Sequence, residues 1–309
     1  MTANYGPLGT GRRGNLLASG VAFLSASIWG LFWLPLREID AQGLSGPWTV
    51  VVINLFPLLF FLPVAIARRK SISENFRSLA ILSALMSAGL IFYMLGLVYT
   101  SIMRATLLFY MTPVWSTLFA IVLLSERVIW QRWAAIVIGF AGLFLMLSAK
   151  GSAGGSLNIG DVMGFAAGIF WGAGAAYSRL RDDLPPADTS ACIFFISFVL
   201  ALVLIWPLSE GPLAVPEWSA WLAATPVAAA FSILIFLPTL YIIIWCTQHL
   251  SPGRVGILMM SEVLVAAISA PVLAGELLTA QEWIGGILIV GAGVLEVLSP
   301  EPAAAEART

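Results

Sequence analysis

Charged side chains are scarce in this sequence. They make up 10% of its 309 residues, whereas hydrophobic residues make up 60%. A soluble globular domain carries roughly 25% charge. The formal net charge is −1, so the chain lacks the basic surface that nucleic-acid binding requires. Because a soluble fold of this length could not bury so much apolar surface, the composition predicts an integral membrane protein.

Residues that carry catalytic or metal chemistry are also few. Both cysteines, Cys192 and Cys246, lie inside apolar runs, which favours small buried hydrophobes over a disulfide or a metal pair. The single histidine, His249, cannot form a metal site alone. The sequence contains no Gly-rich phosphate loop ending in Gly-Lys-Ser/Thr and no common hydrolase or zinc-protease motif. We therefore expect no cofactor, no metal, no nucleotide-driven motor and no enzymatic activity.

Apolar segments fill most of the chain, and each is close to the roughly 20 residues that a membrane-spanning helix needs. Ten segments qualify, at about 16–36, 47–67, 78–99, 104–124, 132–149, 161–178, 190–207, 222–246, 254–274 and 281–298. The eighth is the weakest, because Pro226 and Pro238 can kink it. An inside N-terminus puts 12 of the 15 basic residues on the cytoplasmic side. This bias predicts that both termini are cytoplasmic.

The sequence repeats itself internally. At a constant separation of 150 residues, the matched pairs are Ser101 and Ser251, Arg104 and Arg254, Glu126 and Glu276, Gln131 and Gln281, and Trp133 and Trp283. At a separation of 142, Trp29-Gly30 matches Trp171-Gly172 and Arg37 matches Arg179. Five helices per copy is an odd number, so the second copy must insert upside down. Inverted repeats of this kind are a transporter architecture with the substrate site near the midplane.

These matches divide the chain into four parts. We expect a cytoplasmic tail at 1–15, a first five-helix repeat at 16–150, a second at 156–299 and a cytoplasmic tail at 300–309. The predicted fold class is an all-α membrane protein with ten transmembrane helices in two inverted five-helix repeats.

The repeat also carries a family resemblance. The segments LVYTSIMRATLLFYMTPVW and LLSERVIWQRWAAIVIGFAG resemble the second part of an EamA repeat of the drug/metabolite transporter superfamily, and MMSEVLVAAISAPVLAGELLTAQEWIGGILIVGAG is similar. The family often has Glu-Pro in the ninth helix, whereas Val263 follows Glu262 here and Pro271 is the nearest later proline. Within the superfamily, the layout is most similar to bacterial aromatic amino acid exporters. The resemblance implies export of aromatic amino acids and related compounds across an inner membrane.

Two helices contribute candidate binding residues from one face each. Ser25, Trp29 and Trp33 recur every four residues on helix one, and Trp29 lies deeper than the interfacial belt where tryptophan is common. It therefore faces a wet cavity or, alternatively, packs in the core with its N–H bonded to a neighbouring serine. Trp171 inherits both interpretations from the repeat. On helix four, Thr106, Tyr110 and Pro113 form a stripe. Pro113 frees a backbone carbonyl, for a substrate or for a neighbouring hydroxyl such as Thr112.

Glu262 is the sharpest candidate, since it lies midway along the ninth segment. An ionised carboxylate there costs about 2.5–3.5 kcal/mol on insertion scales. Three roles are open: binding a substrate ammonium group, carrying a coupling proton, or fixing helix packing as a neutral hydrogen-bonded acid. Weaker candidates share only their position in apolar segments; they are Ser25, Tyr93, Tyr99, Thr106, Tyr177, Tyr241 and Ser261.

Other polar or small residues favour structural roles. Gly160, Gly164, Gly168 and Gly172 recur every four residues, a pattern that lets helix backbones approach closely. Arg104 and Arg254 are expected to be interface anchors, with the steering of a substrate carboxylate as the alternative. Glu296 is expected to reach the cytoplasmic interface from the end of helix ten.

Together these features predict a transporter that works by alternating access around an aromatic-lined cavity, driven by a substrate or ion gradient. Its expected partners are a small-molecule substrate, aromatic amino acids by resemblance, and the lipid bilayer. The expected state is a monomer or weak oligomer in a bacterial inner membrane. A membrane-embedded enzyme acting on lipid-linked substrates and an exporter of another metabolite class remain alternatives.

Overall fold

The computed structural model describes residues 12–44, 46–100, 102–148, 157–208, 215–274 and 279–299. Throughout this part of the chain the regular structure is helical. The helices are α1 (Arg12–Trp29), α2 (Trp33–Ala41), α3 (Pro47–Ala67), α4 (Arg69–Glu74), α5 (Phe76–Tyr99), α6 (Ile102–Phe109), α7 (Thr112–Leu124), α8 (Trp130–Ser148), α9 (Ile159–Leu180), α10 (Pro186–Leu208), α11 (Trp218–Phe231), α12 (Leu237–His249), α13 (Pro252–Met259), α14 (Ser261–Ala274) and α15 (Ala280–Leu298).

Within the described residues, six stretches are long and apolar enough to cross a membrane. They are Gly14–Ala41, Pro47–Ala67, Phe76–Tyr99, Ile159–Leu180, Pro186–Leu208 and Trp218–His249. Shorter apolar helices lie at Thr112–Leu124, Trp130–Leu145 and Trp283–Leu298. Large apolar side chains point outward from this bundle, including Trp206, Val122 and Leu234. Such a surface suits lipid rather than water, and the prediction of an all-helical membrane protein is confirmed.

Besides the first segment, which breaks at residues 30–32 between α1 and α2, two predicted segments are each broken into two helices at matching places in the repeat. The segment 104–124 breaks at Tyr110 and Met111, between α6 and α7, and the segment 254–274 breaks at Met260, between α13 and α14. Met260 follows Tyr110 by 150 residues, the separation of the sequence repeat. The bounds of α13 and α15 follow those of α6 and α8 by the same 150 residues.

At each of these two breaks, a backbone carbonyl group loses its usual helical hydrogen bond. Pro113 has no N–H, so the Phe109 carbonyl loses its helical partner and accepts the Thr112 hydroxyl at 2.5 Å. This is the hydroxyl alternative that the sequence left open. At the second break the Val263 N–H bonds to the Met260 carbonyl at 3.1 Å. The Met259 carbonyl is therefore available to a side chain.

The glycine stripe on α9 sets the closest helix contacts. A Cβ atom would lie 2.6 Å from the backbone N of Thr100 at Gly160, 2.8 Å from the Phe109 carbonyl O at Gly168 and 2.9 Å from the Ser116 N at Gly172. Only glycine permits backbones to approach so closely. The expected structural role is confirmed, and it presses α9 against α5, α6 and α7.

The predicted eighth span is a continuous helical stretch with a local widening. A π-helical segment at Ser232–Phe236 joins α11 to α12, just before Pro238. A π-bulge is a common adjustment inside an α-helix and is frequent at functional sites. Here it sets the positions of Phe236 and Thr239, which both contact Trp29.

Candidate functional site

Glu262 lies in the first turn of α14, and only 5% of its surface is exposed. Two tyrosines hold its carboxyl group, one on each oxygen. The Tyr93 hydroxyl donates to Oε1 at 3.0 Å, and the Tyr110 hydroxyl lies 2.6 Å from Oε2. Tyr93 comes from α5 and Tyr110 from the break after α6. A buried carboxyl group is thus placed where three separate segments meet.

Tyr110 has a second partner at the other break. Its hydroxyl lies 3.0 Å from the Met259 carbonyl O. That carbonyl is available because the Val263 N–H bonds to the Met260 carbonyl instead. The two helix breaks, which occupy equivalent positions in the repeat, are therefore joined through one tyrosine. Such interrupted helices expose backbone groups at membrane depth where they meet a polar site.

Aromatic rings extend from the carboxyl group to the first helix, and we call this set the aromatic row: Tyr93, Phe109, Trp171 and Trp29. Tyr93 stacks on Phe109 with ring centroids 4.2 Å apart. Phe109 meets Trp171 edge-on at 6.5 Å, and Trp171 meets Trp29 edge-on at 6.4 Å. Offset and edge-on pairs of this kind add about 0.5–1.5 kcal/mol each beyond area burial. The row brings α1, α5, α6 and α9 together.

The indole N–H groups near this row have different environments. Trp29 donates to the Thr239 hydroxyl at 2.7 Å, and Trp33 donates to the Ser269 hydroxyl at 3.1 Å. In the present conformation Trp29 is packed, as in the second alternative, although its partner is a threonine and not the expected serine. Trp171 is 2% exposed, and its N–H has no hydrogen-bond partner among the described residues. Because an unsatisfied buried donor costs about 1–3 kcal/mol, this group is available to a ligand.

The remaining predicted residues lie at various distances from this site. Thr106 is buried and within reach of the Tyr93 hydroxyl, and Pro113 is buried at the start of α7. Ser25 is buried one turn before Trp29, whereas Ser261, next to Glu262, donates to the Phe23 carbonyl at 3.0 Å.

Three predicted tyrosines make no described contact with Glu262. Tyr99 donates to the Leu208 carbonyl at 3.1 Å, while Tyr177 and Tyr241 are half-buried against the core.

Several contributors escaped the sequence analysis. Phe109 and Phe236 are phenylalanines in apolar runs, and nothing in the local pattern distinguishes them from core residues. Thr239 could be found only by knowing that the eighth segment widens before it. The Met259 carbonyl could not be found, since a backbone group leaves no mark in the sequence.

A second buried polar group lies where α8 begins and α15 ends. Arg132 donates to Glu296 Oε1 at 2.8 and 3.1 Å, and both side chains are 1% exposed. Arg254 donates to the Glu296 and Ser299 carbonyls at 3.0 and 2.7 Å, and Arg132 also lies 3.5 Å from Glu126. The expectations that Glu296 reaches the interface and that Arg254 is an interface anchor are therefore wrong. Each charge is buried because an opposite charge meets it. The side chain of Arg104 lies outside the described residues.

The described residues hold no group of three metal-binding side chains. The site instead offers one carboxyl group, two hydroxyls, a free indole N–H and stacked rings. Such a set can bind a small organic molecule.

Comparison with known proteins assigns the class. The model of the EamA-like transporter family matches residues 16–148 and 158–298. The chain belongs to the EamA-like transporter family. The two matched regions correspond to the two halves of the sequence repeat, so each half carries the family pattern by itself.

Relatives of this family member are also named as transporters. An uncharacterized transporter of Archaeoglobus fulgidus is 26% identical over 275 residues, which cover 88% of this chain and 93% of that one. An S-adenosylmethionine uptake transporter of Rickettsia prowazekii is 36% identical over 59 residues, 19% of this chain and 20% of that one. One from Rickettsia bellii is 25% identical over 129 residues, covering 38% and 44%. A protein of solved crystal structure has the same fold, with a TM-score of 0.69, 19% identity and coverage of 92% and 96%.

Proposed function

We propose that this EamA-family protein crosses the membrane ten times as two inverted five-helix repeats and moves a small solute by alternating access. Equivalent helix packing supports the repeat. In one half α6 and α7 pack against α9, and in the other α13 and α14 pack against α1. The broken helix of each half therefore packs against the first helix of the other half. The shared break positions, Tyr110 and Met260, support the same relationship.

The broken helices pack against each other closely at one end of the bundle and not at the other, which supports alternating access. The helix α13 packs closely against α7, where a Cβ atom on Gly256 would lie 3.0 Å from Pro113 Cα. The equivalent pair in the repeat is α6 and α14, and among the described residues no packing of that extent joins them. With the N-terminus inside, α7 and α13 form the cytoplasmic halves of their spans. This conformation is then closed toward the cytoplasm.

Orientation and location follow the sequence. We propose a bacterial inner-membrane protein with both termini cytoplasmic, which rests on the distribution of 12 of 15 basic residues. Reporter fusions at each terminus test this orientation. A reporter that is active outside the cytoplasm at the C-terminus alone would require an odd number of spans and would contradict the inverted repeat.

The proposed substrates are aromatic amino acids and related compounds, carried outward. The observation that carries this proposal is the pairing of a buried carboxyl group, Glu262, with the aromatic row beside it. A carboxylate binds a substrate ammonium group, and charge-assisted hydrogen bonds are roughly twice as strong as neutral ones. The rings supply flat surfaces for an aromatic side chain, and the N–H of Trp171 supplies a donor for a carboxylate.

A second candidate substrate is S-adenosylmethionine, which the names of the Rickettsia relatives suggest. It carries the same amino-acid ammonium and carboxylate groups together with a flat purine. Its sulfonium charge would gain from aromatic faces, since cation–π contacts contribute about 0.5–2 kcal/mol. The same site chemistry therefore suits both candidates.

Counterflow in proteoliposomes separates these possibilities. Vesicles loaded with unlabelled compound would be offered labelled L-tryptophan, L-phenylalanine, S-adenosylmethionine or L-leucine. Faster uptake of the two aromatic amino acids than of L-leucine supports the proposal, and faster uptake of S-adenosylmethionine alone supports the second candidate. No uptake of any compound, with conversion of a lipid-linked substrate instead, would contradict transport and favour an enzyme.

A further inference from the structure

We propose that Glu262 is a proton-binding site, and that a proton and the substrate's ammonium group occupy it in turn, so that transport exchanges one for the other. This inference rests on the proposed function for the identity of the substrate. It goes further in naming a coupling ion and the group that carries it. Its basis is the number of protons that the hydrogen bonds around Glu262 require.

Three short oxygen–oxygen contacts surround the carboxyl group. They join Tyr93 to Oε1 at 3.0 Å, Tyr110 to Oε2 at 2.6 Å and Tyr110 to the Met259 carbonyl O at 3.0 Å. Each contact needs one proton between its oxygens. The two tyrosines supply only two protons, and a carbonyl supplies none. A full hydrogen bond at every contact therefore requires a third proton, and Glu262 is the group among these that can supply it.

Only one placement of that proton satisfies every contact. If Oε2 carries it, Glu262 donates to Tyr110, Tyr110 donates to Met259, and Tyr93 donates to Oε1. If Glu262 is ionised, the single Tyr110 proton has two acceptors and one contact is left without a hydrogen. A buried acceptor without a donor costs free energy. The present conformation therefore holds Glu262 as the neutral acid.

Apart from the two tyrosine hydroxyls, the described surroundings offer an ionised Glu262 no opposite charge. Its titratable neighbours are Tyr93 from α5 and Tyr110 from the break after α6. The helix α1, which packs against α14, carries no charged residue from Gly14 to Trp29. On α15, Glu296 is held by Arg132 and Arg254. None of the described lysines, arginines or histidines pairs with Glu262, so an incoming cation is the partner that its charged form lacks.

The exchange balances atom for atom. When the substrate ammonium group arrives, the proton on Oε2 passes to water and the carboxylate accepts the ammonium N–H. The Tyr110 hydroxyl is then free to turn from the Met259 carbonyl toward Oε2. When the substrate leaves, water returns one proton to Oε2 and the original chain of hydrogen bonds forms again. No bond other than O–H is broken or made.

Binding of labelled L-tryptophan to the purified protein at a series of pH values tests the competition. Because binding displaces one proton, the affinity for L-tryptophan should fall about tenfold for each unit by which the pH is lowered through the acidic range. Glu262→Gln should bind more weakly and without this dependence. Glutamine keeps the neutral pattern, since its amide can donate to Tyr110 and accept from Tyr93, so the fold should survive. Tyr93→Phe is the matched control and should keep the pH dependence, because it leaves the Oε2 side intact.

A second measurement needs no substrate. Infrared difference spectra between high and low pH should contain a C=O stretch from each carboxylic acid that gains a proton. The part of this band that comes from Glu262 should be missing in Glu262→Gln. An unchanged band, or a Glu262→Gln variant with wild-type pH dependence, would overturn the proposal. Absence of L-tryptophan binding to wild type, with the infrared band present, would instead mean that the proposed substrate is wrong while the proton site stands.

Discussion

Arg132 and Glu296 form a buried ion pair that joins the start of α8 to the end of α15. Their closest nitrogen and oxygen atoms are 2.8 Å apart, and both side chains are 1% exposed. Glu126 and Arg254 complete a group of two arginines and two glutamates. The group is neutral as a whole, so removing any one member would leave a buried charge without its partner and lower the free energy of unfolding.

Removing one member should leave an uncompensated buried charge. Arg132→Met is expected to destabilise the protein by about 3–5 kcal/mol, and Arg132→Met/Glu296→Met, which restores neutrality, should recover part of that loss. Thermal unfolding in detergent, followed by size-exclusion chromatography, measures the effect. Arg181→Met is a suitable control. Arg181 pairs with Asp183 at 2.8 Å near the surface, where such pairs contribute about 0–1 kcal/mol. Equal losses in Arg132→Met and Arg181→Met would contradict a special role for the buried group.

The glycines of α9 should differ sharply from an exposed helical glycine. A Cβ atom on Gly172 would lie 2.9 Å from the Ser116 backbone N, whereas one on Gly20 would meet nothing within 4 Å. Gly172→Ala should therefore lower the yield of folded protein, since backbone atoms cannot move aside. Gly20→Ala should be neutral or slightly stabilising, because alanine has the higher helix propensity. Fluorescence-detected chromatography of tagged variants compares the two, and a well-folded Gly172→Ala variant would show that α9 can shift away.

The sequence predicted those features that depend on local composition. Period-four glycines showed which face of α9 packs closely, and a carboxylate in the middle of an apolar segment marked Glu262. Side chains whose roles depend on long-range contacts could not be assigned. Glu296 is followed closely by the chain's polar end, which suggested an interfacial position, yet Arg132 lies 164 residues earlier in the chain and buries it. Phe109 likewise acquires its place only when α9 brings Trp171 beside it.

Tyr110 and Tyr93 should not be equivalent, although both bond to Glu262. Tyr110→Phe removes the bond to Oε2 and also leaves the Met259 carbonyl without its donor, which costs about 1–3 kcal/mol. Tyr93→Phe removes the bond to Oε1 and the contact with the Thr106 side chain, but it leaves the Met259 carbonyl with its donor. We expect Tyr110→Phe to lower both thermal stability and counterflow more than Tyr93→Phe does. Equal effects in both assays would mean that the bond to Met259 contributes little.

Trp29 and Trp171 occupy equivalent positions in the repeat but should respond differently to loss of the indole N–H. Both Trp→Phe substitutions remove buried ring volume and should lower thermal stability. Trp29→Phe also removes a 2.7 Å hydrogen bond to Thr239 and should lose about 1 kcal/mol more than Trp171→Phe, whose N–H has no partner among the described residues. If this N–H receives the substrate carboxylate, Trp171→Phe should weaken L-tryptophan binding by about fivefold, the equivalent of about 1 kcal/mol. Tryptamine, which has the ammonium group and ring but no carboxylate, should bind both proteins equally. An equal loss of affinity for both compounds would assign Trp171 to ring packing alone.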